Sequence, residues 1–274
     1  MPVEQTSSAA STGQASIAEM VQARLRKKSN LASAFMDVTS FAQPGDKSIS
    51  FPRWTNQFSV QKLSGSQKGD DQEAQFALDE LELSEEAHIQ WLIKKFDQSR
   101  AKVQILQQAI NEATDAHGAS FGDDIYTALV TGIPGANKLS DGITQDGVVN
   151  LIERADEVFM PMEDRTFSVG IGAYASLLKI DGFVDASKSN IDIVRSGQIG
   201  ELYGVPVIKD YAVSKDVMLL THRQAVAYGF GALPAIEDEK AIAYGTGSRR
   251  WVMDQLYGVK ELNLNKLVVS QGLA

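Results

Sequence analysis

The chain has 274 residues, with 26 Lys and Arg against 35 Asp and Glu for a net charge of −9, and no cysteine. That length allows one large domain or two small ones with a real core. The acidic balance argues against a protein whose main task is gripping nucleic-acid phosphates. Without cysteine there are no disulfides, thiolate zinc sites, iron–sulfur clusters or Cys nucleophiles.

No apolar run approaches the roughly 18 residues of a membrane span. The opening MPVEQTSSAASTGQAS has neither the basic nor the apolar region of a signal peptide. The expectation is a soluble, cytoplasmic protein of mixed structure. Residues 1–16 are too polar to pack on their own. Residues 17–28 read as a short amphipathic helix with Ile17, Met20, Val21 and Leu25 on one face. Arg24, Arg26, Lys27 and Lys28 make its end basic, which suits a helix C-terminus. The plainer reading is an ordinary solvated helix end.

Residues 48–63 read as two short strands around a turn, with Pro52 marking an edge. A polar loop follows. Residues 75–83 are extended again, with Phe76 and Leu78 on one face and Leu81 and Leu83 on the other, a phase slip that predicts a bulge. A hairpin this long is barely stable alone. Phe51, Trp54 and Phe58 therefore need a surface, either in their own domain or on a neighbouring subunit.

Ser84 looks like an N-cap, and Glu85 and Glu86 suit a first turn. Ile89, Leu92, Ile93 and Phe96, then Val103, Leu106, Ile110 and Ala113, predict one long helix ending at Gly118, a strut of about 45–50 Å. Residues 131–147 are crowded with turn formers and predict a domain boundary. A helix follows over 148–159, with Val148, Leu151, Ile152, Ala155 and Phe159 inward, stopping at Pro161. A strand is predicted at 166–169, a short helix at 174–178, a strand pair at 200–213, and long strands with little helix after 222.

Enzyme-like strings are few. Gly170-x-Gly172-x-x-Ala175 with Asp192 downstream fits a dinucleotide fingerprint on paper, but no second βαβ unit follows. The plainer reading is glycines that allow a strand and a helix to pack closely. Gly45-Asp46-Lys47-Ser48 echoes a phosphate loop whose spacing is broken; a turn explains it. His88, His117 and His222 form no H-E-x-x-H motif. The adjacent pairs Asp123/Asp124 and Glu163/Asp164 read as solvated charge.

The architectural signals are stronger: a polar arm, an aromatic hairpin, a long helix, a compact middle and a β-rich end. Three stretches (residues 77–129, 147–184 and 197–213) resemble the major capsid proteins of tailed double-stranded-DNA phages with the Hong Kong 97-type fold. The phrase GQIGELYGVPV at 197–207 is the most specific of them. The resemblance implies an α+β fold with an N-terminal arm over 1–45 and an extended β-hairpin loop over 46–83. It implies a peripheral domain with its spine helix from 84–135 and 221–274, and an axial domain over 136–220. It implies a non-enzymatic subunit, without cofactor or metal, assembling with itself through pentamers and hexamers in the bacterial host cytoplasm. The product would be an icosahedral virion shell around DNA that it contacts weakly. Scaffolding, portal and decoration proteins are further partners of the family; a membrane is not. Arg24, Arg26, Lys27, Lys28, Phe51, Trp54 and Phe58 become the expected inter-subunit contacts. An encapsulin-type nanocompartment, a nicotinamide-dependent oxidoreductase and a tail-tube protein are the alternatives.

Overall fold

The computed structural model describes residues 30–43, 45–54, 60–62, 70–94, 105–180, 183–185, 198–245 and 247–273. The predicted basic helix over 17–28, with Arg24, Arg26, Lys27 and Lys28, lies outside them, as do Phe58 and Asp192.

Two long strands, β11 (Val226–Lys240) and β12 (Arg249–Glu261), form an antiparallel ladder. β1 (Met36–Asp37) joins β11 in parallel and β4 (Glu85–Ile93) joins β12 antiparallel, giving the order β1-β11-β12-β4. Helix α1 (Ile105–Thr131) lies along one face of this sheet. At 1.5 Å per residue its 27 residues span about 40 Å. Phe121 anchors it, with ring centroids 5.4, 5.2 and 5.1 Å from Tyr228, Phe230 and Tyr257. Nearer its start, Ile110 and Ala113 meet Ile236 and Met253.

The predicted helix over 84–118 is thus half strand and half helix. Ala87, Ile89, Trp91 and Ile93 alternate with Glu86, His88 and Gln90, so the stretch satisfies period 2 as well as period 3.6. Pairing with the free edge of β12 decides between them. The helix does not stop at Gly118. Burial of Phe121, Ile125 and Leu129 outweighs the roughly 1 kcal/mol that a mid-helix glycine costs.

On the opposite face of the same sheet lies a two-stranded ribbon, β2 (Ser48–Trp54) and β3 (Phe76–Glu82). Its register runs unbroken from Ser48 opposite Glu82 to Trp54 opposite Phe76, so the predicted bulge is absent. The phase slip had another cause: Phe76 and Leu78 face outward while Leu81 faces the sheet. The strand that pairs with β2 is β3; of the second strand expected around 58–60 only Val60, 90% exposed, is among the described residues.

The second core is built on a seven-stranded sheet. Its order is β5 (Lys138–Leu139), β13 (Val268–Gln271), β10 (Met218–His222), β6 (Arg165–Val169), β9 (Val205–Lys209), β8 (Gln198–Leu202) and β7 (Phe183–Asp185). Helices α2 (Gln145–Glu157) and α3 (Ile171–Leu177) cover one face, with Val148, Leu151, Ala155, Ala173 and Leu177 packed on Phe167, Val169, Met218 and Leu220. The other face, through Ile208, Leu219 and Val268, belongs to the core beneath α1. Both faces being covered, β6, β10 and β13 are buried throughout. A one-turn helix, α4 (Leu264–Leu267), links β12 to β13.

Two boundaries differ from expectation. Leu31, Ala32, Ala34 and Phe35 sit in the core under α1, so the expected arm is part of the fold from about residue 31. Strand β13 belongs to the seven-stranded sheet rather than to the long β11–β12 ladder. No described helix is long and apolar enough to cross a membrane.

Candidate assembly surfaces

The ribbon sits on the sheet through Ile49, Phe51, Leu81 and Leu83, which meet Val38 and Ala227. Three glycines make room for it. A Cβ on Gly229 would lie 2.6 Å from Ile49 Cδ1, one on Gly231 would overlap Leu83, and one on Gly258 would overlap the Glu82 carbonyl oxygen. Gly229 and Gly258 are opposite each other in the ladder, so the notch runs across both strands. Lys260 Nζ donates to the Glu80 carbonyl at 2.6 Å, and Arg53 pairs with Asp79 at 2.7 Å.

This seat corrects the expectation for Phe51. It is 1% exposed within its own chain and has no face left for a neighbour. The ribbon's outward apolar residues are Phe76 and Leu78, 65% and 75% exposed. Trp54 ends β2 opposite Phe76, and its side chain lies outside the described residues. The sequence pattern did offer the signal for Phe76 and Leu78: they occupy the phase opposite to Leu81.

The sequence reading also missed the tip of the β11–β12 ladder. A 3-10 turn there, Ile242–Tyr244, leaves Ile242 73% and Tyr244 53% exposed. Cross-strand pairs flank it: Arg250 with Glu239 at 2.7 Å, and Arg249 with Asp238. Ile242 and Tyr244 between EDEK and RR were the available cue.

The enzyme-like strings have structural explanations. Gly170 and Gly172 open α3 directly against the backbone of Ser214 and Lys215, where any Cβ would collide. A cradle for phosphate needs that space empty. Gly45 turns the chain at φ 93°. Gly118-Ala119-Ser120-Phe121-Gly122 spells G-x-S-x-G, which the sequence reading overlooked, but it lies inside α1 and not at a strand–turn–helix elbow. His88 pairs with Asp254 across β4 and β12. Among the described residues no group of three or more His, Asp and Glu is placed to hold a metal.

Burial lowers the pKa of His117, held between α1 and β12, and the nearby His88 adds to this against the opposing pull of a Met253 backbone bond and Asp254. Burial likewise lowers His222, with Asp164 opposing and Arg165 adding. Asp210 moves the other way: burial raises it, although backbone N–H groups oppose. Its carboxylate accepts from Leu31 N at 2.9 Å and Ala212 N at 2.8 Å, pinning the chain's first described turn to the end of β9.

No protein-family model and no curated protein sequence matches the chain. Solved structures do. The capsid of Ralstonia phage GP4 superposes with a TM-score of 0.68 at 11% identity, over 87% of this chain and 86% of that one. The capsid of cyanophage P-SCSP1u gives 0.61 at 13% identity, over 87% and 86%. That of cyanophage Pam1 gives 0.59 at 13% identity, over 86% and 87%. The chain therefore has a mixed helix-and-sheet fold found in phage capsid structures, over 86–87% of its length.

Proposed function

We propose that the chain is the major capsid subunit of a tailed double-stranded-DNA phage, assembling through pentamers and hexamers into the icosahedral shell of the virion. The observation that carries this reading is the likeness to phage capsid structures over 86–87% of the chain. The role is structural, and the energy comes from contacts repeated around a closed shell, so that modest pairwise affinities add up. In Hong Kong 97 terms, the β2–β3 ribbon is the extended loop reaching a neighbour with Phe76 and Leu78. Helix α1 and the β11–β12 ladder form the peripheral domain, and the seven-stranded sheet with α2 and α3 forms most of the axial domain. The basic stretch Arg24 to Lys28 is a further contact with a neighbouring subunit or with DNA. Scaffolding, portal and decoration proteins are the other partners of this role.

A net charge of −9 suits a container. A wall that does not bind phosphates tightly lets DNA be packed and released. The test is negative-stain microscopy of the purified protein and of infected-cell lysate. Closed shells with DNA inside are expected. Tubes, shells filled with an enzyme, or a 29.7 kDa monomer under all conditions would each overturn the reading.

A further inference from the structure

The described fold begins at a fixed point. Leu31 N donates to the buried Asp210 carboxylate at 2.9 Å, and the Asn30 side chain donates to the Lys209 carbonyl at 3.3 Å. Leu31 and Phe35 pack in the core under α1 with Ile125 and Leu129. Burial raises the pKa of Asp210 against its backbone bonds, and Asp123 adds to the rise, which places Asp123 of α1 near this anchor. Residues 1–29 therefore leave the described structure close to the level of Asp123.

Helix α1 has one face that no described element covers. Between positions 112 and 127 its exposed residues are Glu112, Ala116, Ala119, Ser120, Asp123 and Thr127, which follow one another around a single stripe. Over its 27 residues the helix carries four acids and no lysine or arginine. The flanking elements do not neutralise it. The loop after β9 offers Lys215 beside Asp216, both exposed. Lys209 lies over the rings of Tyr174 and Tyr211, and Glu85 of β4 is a further acid near Tyr257. From Asp123 towards Glu112 the stripe is acidic with small residues between; towards the helix end it carries only Thr127 and Thr131.

One segment of the chain has the matching chemistry. Residues 17–28 carry Arg24, Arg26, Lys27 and Lys28 against a single acid, Glu19, and an apolar stripe of Ile17, Met20, Val21 and Leu25. Lys28 is two residues from Asn30, so at about 3.3–3.6 Å per residue it stands within roughly 7 Å of the anchor. As a helix, residues 17–28 are about 16 Å long, which equals the rise along α1 from Glu112 to Asp123.

We infer that residues 17–28 dock along the outer face of α1 in the same chain, with Arg24 to Lys28 beside Asp123 and the Ile17–Leu25 stripe over Ala116 and Ala119. Small residues at the contact let two helices approach closely. Opposite charge fixes the register and the direction taken from the anchor. The contact lies within one subunit and goes beyond the shell reading: before assembly it stows the basic stretch that a neighbour or DNA would otherwise engage.

The absence of cysteine makes the test clean. In dilute, unassembled subunit, Met20→Cys with Ala116→Cys, treated with a short bis-maleimide, should form an intrachain link at least about tenfold faster than Met20→Cys with Thr127→Cys. Thr127 is nearer the anchor, so an undocked segment would reach it at least as fast. Asp123→Lys should slow the first link at least about twofold at low salt and by less at high salt. Leu25→Cys with Ala119→Cys, set against the same Thr127 partner, is the second pair should the first destabilise the subunit in urea unfolding. Equal rates at the two positions, no effect of Asp123→Lys, or links only between chains would each overturn the docking and leave the shell reading standing. Shells absent from every micrograph with the intrachain link present would bring down the shell reading and leave the docking.

Discussion

Gly258→Ala is a sharp probe of how the ribbon is seated. The new methyl group would overlap the Glu82 carbonyl oxygen and stand 2.8 Å from Leu81 Cδ2, where ordinary contact begins at 3.4 Å. A rotamer change relieves the Leu81 contact but not the carbonyl, which is backbone in a paired strand. The ribbon must therefore retreat by more than half an ångström. That unseats Ile49, Phe51 and Leu81, all at most 1% exposed. Overpacking of this kind costs about 1–3 kcal/mol, against about 1.4 kcal/mol for each tenfold change in an equilibrium. Gly229→Ala meets Ile49 Cδ1 at 2.6 Å and Val38 Cγ2 at 3.3 Å, with backbone no nearer than Thr39 N at 3.6 Å, and should cost less. The assay is urea unfolding of dilute, unassembled subunit, where association does not add stability, with amide exchange read over 48–54 and 76–82. Gly258→Ala should lose stability and ribbon protection together. Full stability with unchanged ribbon protection would refute the seating argument.

Other outcomes follow from the same structure. Leu78→Ser removes an outward apolar group, 75% exposed, so subunit stability should change by no more than about 0.5 kcal/mol while assembly, read by light scattering, falls. Asp210→Ala leaves the buried Leu31 N–H and the half-buried Ala212 N–H without their acceptor and should cost about 1–3 kcal/mol in urea unfolding. Because His117 and His222 have lowered pKa values, the stability they support is present above 6.5 and lost as pH falls through their lowered values. Urea midpoints should drop over that window, and His117→Gln should flatten the drop. The raised Asp210 works with the opposite sign: its contribution is present below 3.8 and lost as pH rises through its raised value.

Much of the architecture was legible because local signals agreed with tertiary context. Residues 198–207 of the GQIGELYGVPV phrase form a hairpin through Tyr203 and Gly204, since Gly204 takes φ 80° beside short apolar strands. Helix α2 matched its pattern at Val148, Leu151 and Ala155 and gained an N-cap at Thr144, which accepts from Gly147 N. Phe159 broke that pattern: apolar and in phase, it points to solvent because its backbone turns left-handed just past the helix. Nothing in a periodicity argument carries that information. The strand at 85–93 was hidden for a different reason. Its residues satisfy two periods, and the edge that chose between them lies about 160 residues downstream in β12. Phe51 was read correctly as needing cover, but alternation cannot say whose surface supplies it. A notch of three glycines in β11 and β12 does.

The cores are apolar inside, yet directional bonds fix what packs on the seven-stranded sheet. Asn137, 2% exposed, donates to the carbonyls of Asn265 and Val268 at 2.9 and 3.1 Å and accepts from Arg154 of α2 at 3.2 Å. Gln271 donates to the Asp141 and Gly142 carbonyls at 3.1 and 2.7 Å. Asp210 ties the turn at Leu31 to the end of β9. Hydrophobic burial is proportional to area and indifferent to small sliding; hydrogen bonds fail beyond a few tenths of an ångström and a few tens of degrees. Apolar residues alone would hold these layers together at many angles. Buried amides and a carboxylate at the joint select one, because each misfit strands a desolvated polar group. These buried polar contacts therefore fix where α2, α4 and the turn at Leu31 sit on the seven-stranded sheet, and the apolar cores supply the stability that lets them hold.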